Sequence, residues 1–279
     1  TLQQGSNKID FSWKGVSIAP DSIRIRPLDH PEQVRLISVS YPPNEDALVW
    51  QVYSDQAIEE KVRISYLLSG IDRLLAYKAI TDQDEQHLNL KSYLVLRNFS
   101  GEDFLDAECL LGYGQAFETG INDGATKRML FAHQKSVPIE KKLVWDAAKK
   151  PHEPDKQEGN VGLPVQYVFK NNKENGLGLN NILPGKVRIF QKDGQGSTIF
   201  LGEDRAEFAP VGGKVELYIG ESRDVTVTQR RMKTQNTNII RDDDGNIQVY
   251  DQICNDRVTI KNFKDEKVKL TVIEHIEGQ

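Results

Sequence analysis

The sequence has no long hydrophobic run and no excess of basic residues. No stretch approaches a run of about 18 consecutive apolar residues, which is the length that a membrane-spanning helix requires. In 279 residues, 36 Lys and Arg stand against 41 Asp and Glu, which gives a formal net charge of -5. Such a chain lacks the positive charge that attracts proteins to nucleic-acid phosphates or to anionic membrane surfaces. We therefore expect neither nucleic-acid binding nor a membrane span.

Cysteine is scarce as well. Cys109 and Cys254 are the only two cysteines, and they lie far apart in the sequence. Counting alone permits one disulfide, but we favour two buried free thiols, because a free cysteine behaves as a small hydrophobic residue. The cysteine content therefore does not fix the redox compartment.

Motifs that carry known chemistry are also missing. The five histidines show neither His-x-His nor HExxH spacing, and no Cys-x-x-Cys occurs, so the spacing predicts no zinc site. The chain contains neither a G-x-S-x-G nucleophile turn nor a phosphate-binding glycine loop. We therefore predict no catalytic residues and no cofactor, and keep a hydrolase with an unrecognised site as the second alternative.

One acidic run is the best candidate for a cation site. Asp242, Asp244 and Asn246 offer carboxylate and amide oxygens, the ligand type that calcium prefers. The run does not fit the EF-hand pattern, because Ile240 stands where an acidic residue is required. The competing interpretation is a hairpin tip whose side chains bond to the local backbone.

Alternation of apolar and polar residues is abundant in this chain. It is clearest at 9–13, 62–68, 215–219, 225–227 and 268–272. Alternate side chains of a strand point to opposite faces of a sheet, so the pattern is typical of strands with one buried face. Spaced by turn residues, it predicts roughly sixteen short strands and little helix. We predict an all-β protein of tandem antiparallel β-sandwich domains, immunoglobulin-like or related.

A charged segment with two prolines divides the chain at 146–160. It contains almost no large apolar residue, so it is expected to form a linker or a long loop. This places an N-terminal β-sandwich region at 1–145, which two small β units could also make up. A C-terminal β-sandwich domain follows at 161–279.

The tryptophans leave two interpretations open. Trp13, Trp50 and Trp145 could form an exposed platform for sugars, or they could belong to the sandwich core. The first interpretation supports an alternative function, a module that binds carbohydrate or another envelope polymer.

A basic cluster ends one predicted strand. It consists of Arg230, Arg231 and Lys233. These residues would form either a solvated strand end that protects an exposed edge from pairing, or a docking patch for an acidic partner. We favour the first interpretation, and keep the second as a candidate partner-binding site.

The order of motifs along the chain resembles a known bacterial family. The motifs are FSWKG at 11–15, ISY at 64–66, NFSGED at 98–103, FKNNKENGLG at 169–178, LPGKVRIF at 183–190, FLGE at 200–203, APVG at 209–212, VELYIG at 215–220 and VTIKNFKD at 258–265. Together they resemble the family of the bacterial domain of unknown function 4139, whose members are often labelled mucoidy-inhibitor-like. One departure is Arg73, which stands where relatives commonly place a tryptophan ahead of Tyr77. This position therefore either packs differently here or faces a partner.

The resemblance implies an all-β fold and export from the cytoplasm, and it assigns no catalytic residues. Because the sequence also begins at Thr1 rather than at Met, we expect a periplasmic or otherwise exported bacterial protein. Many sheet edges, a charged connector and the lack of a catalytic motif favour a non-enzymatic protein-interaction or scaffold protein. Its expected partner is another protein or a second copy of itself, within a larger assembly.

Overall fold

A computed structural model describes residues 1–111, 115–149, 156–158 and 162–275. These residues are almost entirely β, which confirms the all-β prediction, and none of their helices is long and apolar enough to cross a membrane. The strands are β1 Gly5–Ser12, β2 Arg24–Pro27, β3 Val34–Ser40, β4 Ala47–Ser54, β5 Val62–Ser65, β6 Ile71–Thr81, β7 His87–Asn98, β8 Glu108–Leu111, β9 Gln115–Glu118, β10 Thr126–Pro138, β11 Glu140–Asp146, β12 Lys156–Glu158, β13 Leu163–Lys170, β14 Gly185–Lys192, β15 Thr198–Ala206, β16 Lys214–Ser222, β17 Val225–Arg241, β18 Ile247–Asn262 and β19 Leu270–Ile273. Three short 3-10 helices lie at Pro20–Ser22, Ala147–Lys149 and Lys173–Asn175.

The chain forms two compact units, each built from two stretches of sequence. Unit 1 comprises Thr1–Leu74 and Leu94–Met129, and unit 2 comprises Leu75–Tyr93 and Leu130–Gln279. The division therefore does not fall at 146–160, where we placed the boundary between 1–145 and 161–279. The strands on either side of that segment, β11 and β13, are antiparallel neighbours in one sheet, so the segment connects two strands of unit 2. Residues 150–155 and 159–160 of the segment lie outside the described residues.

Unit 1 is organised around β4. This strand lies between β1 and β3 in a three-stranded sheet, while β2 pairs with β5 and β8 pairs with β9. The alternation in β4 buries Leu48, Trp50 and Val52 on one face. They pack with Trp13 and Ile23 in a core that apolar residues of β1, β2 and β5 extend. The core thus lies between the three-stranded sheet and the β2–β5 pair.

Unit 2 contains a core that two sheets share. One sheet has the order β10-β7-β6-β14-β15 and the other has the order β16-β13-β11-β19. Ala79, Val187 and Ile189 of the first sheet contribute to the same core as Tyr167 and Leu217 of the second. Because the apolar face of each sheet packs against the apolar face of the other, this arrangement is a β-sandwich.

The antiparallel prediction is incomplete, because two strand pairs in unit 2 are parallel. β6 runs parallel to β14, with Tyr77 opposite Val187, and β11 runs parallel to β19, with Leu143 opposite Leu270. Parallel neighbours are joined by long connections, whereas the side-chain period of a strand is two in either orientation. Alternation therefore predicts the strand but not its direction.

β17 and β18 form an antiparallel ribbon of 17 and 16 residues, much longer than the short strands we expected. At its base, Val225 and Val227 pack with Trp145 in a second core of unit 2. β12 pairs with β17 only at Thr228–Arg230. Beyond Arg230, the part of the chain that the structure describes places no further strand beside the ribbon. We call residues 231–256 the projecting ribbon.

The two thiols are free, as we favoured, but neither is buried. Cys109 is half-buried in β8, and Cys254 is exposed on β18. The expectation of burial is wrong because every residue of β18 is exposed, so no second layer covers this strand.

Candidate functional site

The NFSGED motif forms a closed loop whose polar groups bond to each other. The buried Asn98 side chain donates to the carbonyls of Glu102 and Ile121 at 2.7 and 3.2 Å, and it accepts from the Ser100 hydroxyl at 2.7 Å. Gly101 has a φ of 85°, and a Cβ there would lie 1.9 Å from the carbonyl oxygen of Gly15. These residues therefore hold the loop, and their polar groups already have partners.

Asn171 has a similar part in the FKNNKENGLG motif. Its fully buried amide donates to the carbonyls of Asn180, Ala209 and Pro210 at 3.0 to 3.2 Å and accepts from the backbone N–H of Gly178 at 2.9 Å. A single side chain thus ties two loops at one end of the unit 2 sandwich. Burying those carbonyls without a donor would be costly, which explains an asparagine here without any chemistry.

A half-buried carboxylate of unit 2, that of Glu85, also has hydrogen-bond partners. Glu85 accepts from the hydroxyl of Tyr167 and from Lys141 Nζ, the latter at 2.5 Å. Burial and the nearby Glu85 carboxylate raise the pKa of Tyr167, so the phenol stays protonated. Among the described residues, no group of three or more His, Cys, Asp and Glu is placed to hold a metal ion.

The acidic run on the projecting ribbon is a hairpin tip. Asp242 Oδ1 accepts from the backbone N–H groups of Asp244 and Asn246 at 3.1 and 2.8 Å. The hydrogen bond from the Asn246 backbone is the main reason that the pKa of Asp242 is lowered. The geometry matches the local-backbone interpretation, and calcium binding by Asp242, Asp244 and Asn246 stays an untested alternative.

All three tryptophans are buried, so they do not form an exposed platform. Trp13 and Trp50 lie in the core of unit 1, and Trp145 lies in the second core of unit 2. The carbohydrate-binding alternative loses the feature on which we based it. Alternating strands direct large aromatic rings into the core, as the competing interpretation stated.

The predicted partner-binding residues of the ribbon, Arg230, Arg231 and Lys233, do not form one cationic patch. Arg231 forms a two-bonded ion pair with Asp256, at 3.0 and 3.2 Å, which raises the pKa of Arg231 and lowers that of Asp256. Arg230 lies opposite Arg257, and Lys233 lies opposite Asn255. Arg73 is exposed on β6 in unit 1, whereas the other predicted residues belong to unit 2.

The projecting ribbon carries apolar side chains in solvent. Ile240 lies opposite Val249, and the period of two places Ile253 on the same face as Val249. The exposed fractions of these three residues lie between 51% and 61%. The opposite face carries Tyr250, which is 45% exposed. An apolar stripe on a projecting element marks an interaction surface more often than scattered single residues do.

β18 also has a free edge. In the described residues it pairs only with β17, so its other side presents unpaired N–H and C=O groups over the length of the strand. Its 16 residues include neither proline nor glycine, and from Val249 to Asn262 the register shifts of the pair consist of extra residues on β17. The one extra residue on β18 is Gln248, next to the hairpin tip. Proteins usually protect long edges with such devices. We therefore take the edge of β18 and the apolar stripe beside it as the candidate functional site.

Comparison with known proteins gives no match to this chain, whether with protein-family models, with curated proteins or with solved structures. The resemblance to the domain of unknown function 4139 family therefore stays a prediction. What is known of the candidate site comes from its own geometry.

The sequence patterns indicated only the basic residues and the acidic tip of this site. The residues of β18 are apolar at 249 and 253 on one face and at 247, 250, 258 and 260 on the other. A strand with apolar residues on both faces is typical of a sheet interior. Because β18 has this composition and also a free edge, its sequence indicates that a further strand pairs with it.

Proposed function

We propose that this chain is a non-enzymatic protein-interaction protein that binds its partner by adding a strand to the edge of β18. The observation that carries the proposal is the exposure of all 16 residues of β18. In such binding, main-chain hydrogen bonds provide affinity and alternate side chains provide specificity. The exported, envelope-associated setting is part of this proposal and rests on the family resemblance. Membership of a larger assembly is also part of it and rests on the exposed sheet edges.

The low stability of an isolated two-stranded ribbon favours a partner for the projecting ribbon. An isolated two-stranded hairpin is marginally stable in water, because each strand has hydrogen-bond partners on one side only and neither face is covered. Eleven residues from Arg231 to Arg241 would extend about 35 Å at about 3.4 Å per residue. A third strand along β18 would pair its free backbone groups and cover part of the apolar stripe.

The proposal predicts that shortening the ribbon abolishes binding without harming the fold. Replacing 232–255 by Asn-Gly would join the paired residues Arg231 and Asp256 through a tight two-residue turn. Val225, Val227 and the rest of the second core stay in place. We expect proteins that the intact chain retains from a native extract to be lost with the shortened chain.

The control is Asp243→Ser at the exposed tip, which keeps the whole edge. Near-ultraviolet circular dichroism of the buried tryptophans checks that each variant folds. If the folded, shortened chain retains the same proteins as the intact chain, the ribbon is not the binding element and the proposal is wrong.

A further inference from the structure

We infer that the strand added to the edge of β18 is β18 of a second copy, paired antiparallel and centred on Cys254. This inference rests on the proposed function and names its partner. The resulting sheet would have the order β17-β18-β18-β17, with four strands in place of two marginal ribbons.

Symmetry restricts the registers that such a pair can adopt. A two-fold axis perpendicular to the sheet sets each residue opposite one of the same parity, so that opposed side chains share a face. Centring the pair on Cys254 places Val249 opposite Thr259 of the other copy. This register uses most of β18, which runs from Ile247 to Asn262.

The charges of β18 complement each other in this register. Asp251 of each copy lies opposite Arg257 of the other, which gives two opposite-charge pairs per dimer. Within one chain, Arg257 lies opposite Arg230, an unfavourable like-charge pair. Among the described residues, no carboxylate lies within ion-pair distance of Arg257. A second copy supplies the missing carboxylate.

The apolar residues match as well. Tyr250 of each copy lies opposite Val258 of the other, and these side chains are 45% and 40% exposed in the single chain. Pairs of an aromatic and a β-branched residue are among the stabilising cross-strand pairs of antiparallel sheets. The two-fold axis doubles this contact.

Neighbouring registers lose these contacts. Centring on Ile253 sets Asp251 opposite Asn255, and centring on Asn255 sets Asp251 opposite Thr259. Centring on Asp256 brings Asp251 opposite Lys261 but places two Asp256 carboxylates opposite each other. Of these registers, the one about Cys254 alone pairs opposite charges without opposing like ones.

A charge exchange tests the self-pairing in purified full-length protein. Asp251→Arg and Arg257→Asp each turn two attractive pairs into two repulsive ones, so we expect each to weaken dimerisation at least about tenfold. The double variant restores the pairs with their signs reversed and should recover dimerisation. Light scattering and sedimentation over a wide range of concentrations measure the association. A monomeric intact chain, or a dimer that neither single variant weakens, would overturn the inference.

Cysteine pairing tests the register independently of charge. In a Cys109→Ser background, oxidation by diamide should join two chains through Cys254, because directly opposed side chains have Cβ atoms about 4.5–5.5 Å apart. In a Cys109→Ser, Cys254→Ser background, Tyr250→Cys combined with Val258→Cys should also give covalent dimers. Either of those two cysteines alone should not. Cross-linking by the single variants and not by the pair would contradict the register.

Failure of this inference can be separated from failure of the proposed function. If the purified chain is monomeric but ribbon shortening still removes a partner from the extract, the partner is a different protein and only the self-pairing is wrong. If the intact chain dimerises and the shortened chain dimerises equally well, the dimer uses another surface and the inference is again wrong.

Discussion

At the scale of single residues, the buried polar side chains of this protein hold loops. Asn98 and Asn171 each satisfy several backbone groups, and Glu60 does the same with a charge. Glu60, 1% exposed in its side chain, accepts from the N–H groups of Leu28, Asp29 and His30 at 2.8 to 3.0 Å and contacts His30 Nδ1 at 2.9 Å. Burial alone would raise the pKa of Glu60, but these hydrogen bonds outweigh it and the net pKa is lowered.

Glu60→Gln should therefore destabilise the protein in a pH-dependent way. A lowered pKa in the folded state means that the carboxylate stabilises the fold above its unfolded pKa, and that this contribution is lost as the pH falls through the folded pKa. We expect the free energy of unfolding to drop by about 2 kcal/mol at neutral pH, since charged hydrogen bonds are lost. The difference from wild type should shrink below the ordinary value of 4.5.

Denaturant titrations at neutral and acidic pH measure this effect. Glu59→Gln is the matched control, because Glu59 is its exposed neighbour. A loss that is equal at both pH values would show that Glu60 acts through its shape and not through its charge.

At the scale of elements, alternation predicted strands well and their neighbours poorly. The strands around Ile9, Leu217 and Val227 follow the period of two that a half-buried sheet imposes. Their partners depend on contacts far along the chain, such as Tyr77 opposite Val187, which no local pattern encodes. The length of the ribbon was missed for a related reason. Its outer part has no buried face, so polar and apolar residues follow no simple alternation there.

The hairpin tip offers a prediction about the ribbon itself. Asp242→Ala removes the acceptor for the N–H groups of Asp244 and Asn246, so amide exchange at both positions should become about tenfold faster. Because the pKa of Asp242 is lowered, the wild-type tip should also lose protection as the pH falls through that pKa. Asp243→Ala is the control. Unchanged exchange at Asn246 would mean that the turn holds itself without the carboxylate.

At the scale of the whole molecule, the units are built from stretches that are distant in sequence. Unit 2 includes Leu75–Tyr93, which supplies Tyr77, Ala79, Leu88 and Leu90 to its main core. A boundary at a charged, proline-containing segment was a reasonable sequence-based expectation. It did not match the two observed units. The composition of a segment indicates whether the segment is exposed to solvent, but not which strands pair on either side of it.

This organisation predicts that residues 161–279 do not fold alone. The fragment would keep Tyr167 and Leu217 but lose the core residues of β6, β7 and β10. Removing one large core side chain costs about 2–5 kcal/mol, while a whole domain is stable by about 5–15 kcal/mol. The combined cost of losing several such side chains should therefore exceed the free energy of unfolding of the domain. We expect the fragment to lack a cooperative thermal transition and the chemical-shift dispersion of a packed core, whereas a fragment spanning 71–279 keeps every residue of that core. Cooperative unfolding of 161–279 would show instead that β13 to β19 suffice for a core of their own.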